Sequence, residues 1–322
     1  MFFQFLQESA KLAVELAMRN SFMKKIQLFI LLITLSSPLW AQLPNSNVFL
    51  FDLQKEGTQD SLYLANPKLL TDYNRTGYNN HPDFFSEDEL VIASQLPYEA
   101  QPDLYGLNLS TMVRTQMTDT QPGEYSPRRM PDYFNFSAVR MEYQERDTFI
   151  RLWQFPLDRS GNGRPVFKDL TNVGYYAWLN SRDVMLYKVG NPSQLVKADV
   201  YSGSEEVVAT NVGRCFIPTG TGSVIFMQKQ NSGPSQIMLY DSRAYSDDQK
   251  TRKIVTPLSG SEDFAVLQDG TLIMGYNSEV YKYQVGVDTE WKKLADLRGY
   301  NIKGISRIAV SPNNSRIAIV AQ

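Results

Sequence analysis

Six times along the chain an apolar run is broken by a short polar turn and followed by a second apolar run. The segments are DFFSEDELVIAS (83–94), DYFNFSAVRMEY (132–143), YAWLNSRDVMLYKV (176–189), CFIPTGTGSVIFMQ (215–228), FAVLQDGTLIMGY (264–276) and RIAVSPNNSRIAIV (307–320). Short runs rich in β-branched and aromatic residues, bounded by Ser, Asn, Gly and Pro, predict β-hairpins. The turns begin at Ser86, Asn135, Asn180, Pro218, Gln268 and Ser311.

Five intervals separate these turns and cover 225 residues (311 minus 86), a mean of 45. A period near 45 that holds several short strands is that of a propeller blade. A third strand is predicted after most hairpins: DLYGLNL (103–109), FIRLWQFPLD (149–158), QLVKADV (194–200), QIMLYD (236–241) and EVYKYQV (279–285). A fourth follows in RTQMTD (114–119), FKDLTN (167–172) and VVATN (207–211). The last hairpin has no such followers, whereas NVFLFDL (47–53) and SLYLAN (61–66) have no hairpin before them. Joining the two ends completes a sixth blade and covers edges that would otherwise be open. The expectation is an all-β, six-bladed β-propeller over residues 42–322, closed by N- and C-terminal strands that share one blade.

Composition changes the picture mainly at the N-terminus. Residues 23–42, MKKIQLFILLITLSSPLWAQ, run from two lysines through an apolar stretch to small residues. That is the order of a secretory signal peptide over 23–41, with cleavage expected between Ala41 and Gln42. Residues 1–22 carry Leu12, Leu16, Ala13 and Ala17 at helical spacing. They read either as an amphipathic membrane helix or, preferred here, as an extension before a true start at Met23. Without residues 1–41 the chain keeps 28 basic and 32 acidic residues, a net charge of −4. No basic footprint for nucleic acid results. Cys215 is the sole cysteine, so no internal disulfide forms. A monomeric periplasmic or extracellular protein with no membrane span after signal removal is expected.

The hairpins with SPNN, QDGT or SEDE at the turn, the Leu-Tyr strands and the Thr-Asp steps resemble TolB-like (WD40-like) propeller repeats. YNNHPDF, GEYSPRRMPD, NVGYYAWL, NVGRC and ISRIAVSPNNSRIAIV are similar to blade motifs of exported TolB-like proteins of Bacteroidetes. The resemblance covers residues 47–322 and implies the propeller fold. It does not extend to the separate α/β domain that precedes the propeller in TolB itself.

Catalytic chemistry has few footholds. In DYNRTGYNNHPDF (72–84), Asp72, Asn74, Thr76 and Asp83 fall at calcium-loop positions, but Arg75 intrudes and no helices flank the loop. The stretch reads as a joint between blades. His81 is the only histidine, which removes multi-His metal sites and the several-His chemistry of pectate-cleaving propellers. As a catalytic base it needs a partner within hydrogen-bond reach, and Pro82 is expected to hold it extended. No Gly-x-Ser-x-Gly elbow occurs, and no cofactor or metal is expected. Asp83, Glu124, Glu262 and Asp263 lie near blade entrances and are expected to be solvated.

A ligand is expected at the channel rim, where the loops lead into the first strands. His81, Arg128, Arg129, Tyr175, Arg214, Glu262 and Arg307 fall there. Converging guanidinium groups suit a carboxylate or another anion; the alternative is that they tie neighbouring blades together. Two functions stay open. One is a non-catalytic module that binds a protein, peptide or anionic envelope glycan. The other is a hydrolase or lyase acting on an extracellular polymer.

Overall fold

The structure, a computed structural model, describes residues 43–56, 61–144, 147–220 and 222–322. The expected extension (1–22) and signal peptide (23–41) lie outside the described residues. Within those described, six four-stranded antiparallel sheets form. Blade 1 joins both ends of the chain: β1 (Asn47–Glu56) and β2 (Ser61–Leu69) with β23 (Arg307–Val310) and β24 (Arg316–Ala321). Blade 2 holds β3 (Tyr78–Phe84), β4 (Glu89–Gln95), β5 (Asp103–Asn108) and β6 (Arg114–Gln116). Blade 3 holds β7 (Gly123–Arg129), β8 (Asn135–Gln144), β9 (Asp147–Pro156) and β10 (Arg164–Pro165). Blade 4 holds β11 (Val173–Trp178), β12 (Asp183–Lys188), β13 (Gln194–Asp199) and β14 (Glu205–Thr210). Blade 5 holds β15 (Val212–Pro218), β16 (Ser223–Gln228), β17 (Gln236–Asp241) and β18 (Thr251–Val255). Blade 6 holds β19 (Phe264–Val266), β20 (Leu272–Tyr276), β21 (Glu279–Tyr283) and β22 (Lys292–Asp296).

The first strands touch in a closed cycle, β23 to β3, β7, β11, β15, β19 and back to β23. The protein is a six-bladed β-propeller. Second strands lie between two neighbours in each sheet and are covered on both faces, so they read as unbroken apolar runs. Leu90 to Ala93 of β4 and Val224 to Met227 of β16 are buried for this reason. Outer strands such as β14 are largely solvent-facing and mix polar Glu205, Glu206 and Thr210 with apolar residues.

Blade 1 shows how the ring is held. Asn47 to Asp52 of β1 pair with Ala321 to Arg316 of β24. Side chains of β24 alternate between its two neighbours. Ala318 and Val320 pack with Leu90 and Ile92 of blade 2, whereas Ile317 and Ile319 pack with Ile273 and Val280 of blade 6. The joint at 72–84 is a short 3₁₀ turn, Asp72–Asn74, leading into β3. Asn74 is turned inward, where Nδ2 donates to Asn79 Oδ1 (3.1 Å), Ser94 Oγ (3.2 Å) and Gln95 O (2.9 Å). Gly77 makes room for it, since a Cβ there would lie 2.2 Å from Asn74 Oδ1.

Two expected elements are misplaced, both in blade 3. Asp132, Tyr133 and Phe134 form the hairpin turn instead of a strand, because Asp132 Oδ1 accepts the Phe134 and Asn135 N–H groups, both at 3.0 Å. The segment 135–138 is strand, not turn. The fourth strand is only Arg164–Pro165, and residues 167–172 are irregular. Phe167 and Leu170 instead plug the seam between blades 3 and 4. Among the described residues no helix is long and apolar enough to cross a membrane.

Candidate functional site

Two bulges build the site. Pairing of β3 with β4 slips between Asn80 and Asp83, and pairing of β7 with β8 slips between Tyr125 and Arg128. Each slip sits on an X-Pro step, His81-Pro82 or Ser126-Pro127, and the residue before proline has φ of 54° or 53°. The extended backbone expected at His81 is therefore not found: the bulge overrides the proline preference and re-aims the side chain. It brings His81 Nδ1 to 2.7 Å from Ser126 Oγ of the next blade. The imidazole also stacks on Tyr175, with centroids 6.0 Å apart and planes at 14°, and meets the edge of Tyr125.

Around this pair lies a cavity of about 70 Å³, to which all six blades contribute a side chain. His81, Asp83, Arg128, Tyr175, Arg214, Asp263 and Arg307 are on its wall. A wider recess of about 520 Å³ shares Arg214, Asp263, Arg307 and Ile308 with it and continues over Ser259–Glu262, Asn277 and Ser306. Five of the seven expected residues thus converge: His81, Arg128, Tyr175, Arg214 and Arg307. Arg129 does not. It follows Arg128 in a strand, so it points to the other face, where Nη1 donates to Phe85 O (3.0 Å) and the guanidinium covers the Tyr133 ring. Glu262 reaches only the wider recess and pairs with Lys229 (2.9 Å).

The three converging arginines are not equivalent. Arg128 Nη1 pairs with Asp83 Oδ1 of the preceding blade at 2.9 Å, and its Nε donates to Tyr176 O at 3.1 Å. Arg307 Nη1 lies 3.6 Å from Asp263 Oδ2 of the preceding blade, and Nη2 donates to Tyr175 Oη at 3.0 Å. These two are inter-blade ties of the kind the alternative reading anticipates. Arg214 differs. Its Nη2 donates to Ser306 O (2.9 Å), and among the described residues no carboxylate lies within ion-pair distance. Nε of Arg214 and Nε of Arg307 are both buried without a hydrogen-bond partner.

Charge in the cavity follows from burial. Desolvation, reinforced by Arg307, Arg214 and Arg128, holds the His81 pKa well below its usual value, so the ring is neutral. Burial pushes Asp83 up to about 6 against the pull of Arg128. Burial likewise raises Asp263, opposed chiefly by Arg307. Three arginines therefore face two carboxylates, leaving an excess of positive charge. Asp83 and Asp263, expected to be solvated, are instead drawn inside by these arginines, and Ser126 was not anticipated. The signal for Ser126 is the Pro127 that follows it, at the blade position of Pro82.

No protein-family description and no curated protein matches the chain by sequence. By structure it is similar to a putative TolB from Agrobacterium tumefaciens. The TM-score is 0.61 at 13% identity, over 86% of this chain and 98% of that one. Similarity extends to Kuenenia stuttgartiensis hydrazine synthase, with TM-score 0.57 at 10% identity, over 87% of this chain and 47% of that one. A chain of a nidogen/laminin complex is also similar, with TM-score 0.53 at 10% identity, over 86% of this chain and 98% of that one. At such identity the likeness is one of fold.

Proposed function

We propose that the protein is an exported, non-catalytic binding module whose channel cavity receives an anionic group of a protein, peptide or envelope glycan. The observation that carries this is Arg214, which among the described residues has no ion-pair partner and whose Nε is unsatisfied, beside a second arginine whose Nε is also unsatisfied, in a pocket with excess positive charge. Buried donors without partners are costly, and an anion would satisfy both. Neutral His81, Ser126 Oγ and Tyr175 Oη supply further polar contacts on the same wall. Propellers serve many functions; that one similar fold occurs within a nidogen/laminin complex agrees with a binding role. Export rests on the sequence of residues 23–41, which places the protein in the periplasm or outside the cell.

The test separates Arg214 from its neighbours. Arg214→Ala removes a guanidinium that forms no direct ion pair among the described residues, only a hydrogen bond to Ser306 O and a longer-range attraction to Asp263, so folding should be affected much less than by loss of a paired arginine. Arg307→Ala leaves the largely buried Asp263 without its ion-pair partner and should cost about 3–5 kcal/mol of stability, whereas Arg128→Ala breaks a partly exposed pair with Asp83 and should cost less, about 1–2 kcal/mol. Calorimetric titration would compare peptides bearing a free C-terminal carboxylate, their C-terminal amides, and uronic acid oligomers. A single charged hydrogen bond of about 1.5–3 kcal/mol corresponds to roughly 10- to 150-fold in affinity. Arg214→Ala should lose that factor with a melting temperature changed far less than in Arg307→Ala. If no anionic probe binds, or binding survives Arg214→Ala, the proposal fails.

A second reading rests on the 2.7 Å contact of His81 Nδ1 with Ser126 Oγ, the geometry of a base and a nucleophile. It would make the protein a hydrolase acting on an extracellular polymer. Depressed basicity of His81 argues against it, because an effective general base titrates near the working pH. Labelling of Ser126 by a serine-directed fluorophosphonate would favour this reading over the first.

A further inference from the structure

The β8–β9 hairpin of blade 3 is the longest in the ring, with ten residues in each strand. Its outer partner is the shortest. β10 pairs only Arg164 with Gln154 and Pro165 with Trp153, after which Val166 N–H donates to Leu152 C=O (2.9 Å) and the chain leaves the ladder. Among the described residues, nothing pairs with the outer edge of β9 from Asp147 to Arg151. Because Leu152 C=O points outward, the N–H and C=O groups of Thr148 and Ile150 point outward too. Exposed edges are usually blunted by proline, lysine or a bulge. This one has no proline, lysine or bulge; it reads Thr148-Phe149-Ile150, residues of high strand preference, between the opposite charges of Asp147 and Arg151.

We infer that this edge pairs with the same edge of a second copy of the chain. A two-fold antiparallel alignment centred on Phe149 sets Thr148 opposite Ile150 of the second copy, twice. Both residues expose their backbone groups outward, so these become hydrogen-bonded pairs, with four new bonds. The same alignment sets Phe149 opposite Phe149 and Asp147 opposite Arg151, again twice. Those are the non-hydrogen-bonded positions, where side chains approach most closely. Asp147 is exposed. Arg151 lies 4.0 Å from Glu142, and its Nε is buried without a hydrogen-bond partner. The register that satisfies the backbone therefore also pairs aromatic with aromatic and acid with base. An alignment centred on Arg151 fails on both counts. It would set Arg151 opposite Arg151, and it would need the outward groups of Leu152, whose carbonyl already accepts from Val166. The association replaces the expected monomer and is independent of the channel cavity.

The contact is small, so a weak, concentration-dependent dimer is expected. Sedimentation velocity of residues 42–322 over a concentration series reads it directly. Asp147→Lys puts cations opposite each other and should abolish the dimer, as should Arg151→Glu, which puts acids opposite each other. Mixed in equal amounts, the two variants should form a heterodimer, since Lys then faces Glu and Arg faces Asp. Circular dichroism and melting confirm that each variant is folded. Recovery in the mixture establishes the register. A wild-type chain that stays monomeric to millimolar concentration, or a dimer indifferent to both substitutions, overturns the inference; so does a mixture of folded variants that stays monomeric.

Discussion

At the scale of single residues, the buried acids decide most. Glu124 is fully buried, with Oε1 held by Arg140 Nε (2.8 Å) and Thr120 Oγ1 (2.5 Å) and Oε2 left without a partner. Arg140 sits over Trp153, its guanidinium 3.9 Å from the ring centroid. Through Thr118 and Thr120 this network reaches Asp103 of blade 2. Burial first, then the Glu124 charge, pushes Asp103 up to about 7. An acid whose folded pKa is raised stabilises the fold below that pKa relative to above it, so its contribution is lost as pH climbs from about 4 to about 7. Asp103→Asn should remove that loss. Urea titrations should show it more stable than wild type by about 1–3 kcal/mol at pH 8 and nearly equal at pH 4, each pKa unit being worth about 1.4 kcal/mol. Equal gain at both pH values would show that packing, not charge, is responsible. Arg140→Ala should do the opposite and cost about 3–5 kcal/mol, because it strands a buried carboxylate. None of these pairings is visible in sequence. Arg140 and Glu124 sit 16 positions apart on β8 and β7, and sequence reading placed Glu124 merely near a blade entrance. It found His81 and Arg214 because position before or within a first strand follows from the repeat. It could not separate Arg128 from Arg129, because their facing depends on the bulge at Ser126.

At the scale of elements, the hairpins were legible where the second strand is buried on both faces, since continuous apolar residues leave no ambiguity. Fourth strands were less so. They are held by one neighbour and face solvent, and in blade 3 the strand is replaced by residues that plug a seam. Tyr133 and Phe134 misled for a related reason. They are 72% and 79% exposed, so their aromatic character reports neither strand nor core. Closure of blade 1 came from a negative sign, strands without a hairpin at one end and a hairpin without strands at the other. The register of β1 with β24 makes the two ends interdependent. Deleting residues 47–66 should strip β24 of its β1 partner, leaving it paired only with β23, and expose Ile317 and Ile319 of the blade 6 contact. Loss of a cooperative transition, or aggregation, should match that caused by deleting residues 307–322. A truncated chain that melts like the intact one would show that the ring does not depend on its clasp.

At the scale of the whole molecule, two populations of acid pull stability in opposite directions with pH. Asp199, half-buried, and Asp296, exposed, are surface acids lowered to about 2 by local hydrogen bonds, from the Ser202 backbone and the Arg298 side chain respectively. Acids of this kind favour the fold above their unfolded pKa, and their contribution is lost only below about pH 4. Asp83 and Asp103 are raised to about 6 and about 7, and Asp263 and Glu124 are raised as well, all chiefly by burial. Between about pH 4 and 7 the folded chain holds protons on these groups that the unfolded chain releases, so stability falls as pH rises. His81 works the other way. Its pKa is depressed, so the unfolded chain gains a proton as pH drops below about 6.5 while the folded chain does not. One histidine against four carboxyls leaves the acids dominant. The melting temperature should therefore peak near pH ~5 and decline toward pH ~8, and scanning calorimetry across this range reads it directly. His81→Asn should sharpen the decline by removing the one opposing group, whereas Asp103→Asn should flatten it. A melting temperature that instead rises over the same interval would mean that the cavity acids and the Asp103–Glu124 pair are ionised throughout, held by arginines more strongly than burial opposes them.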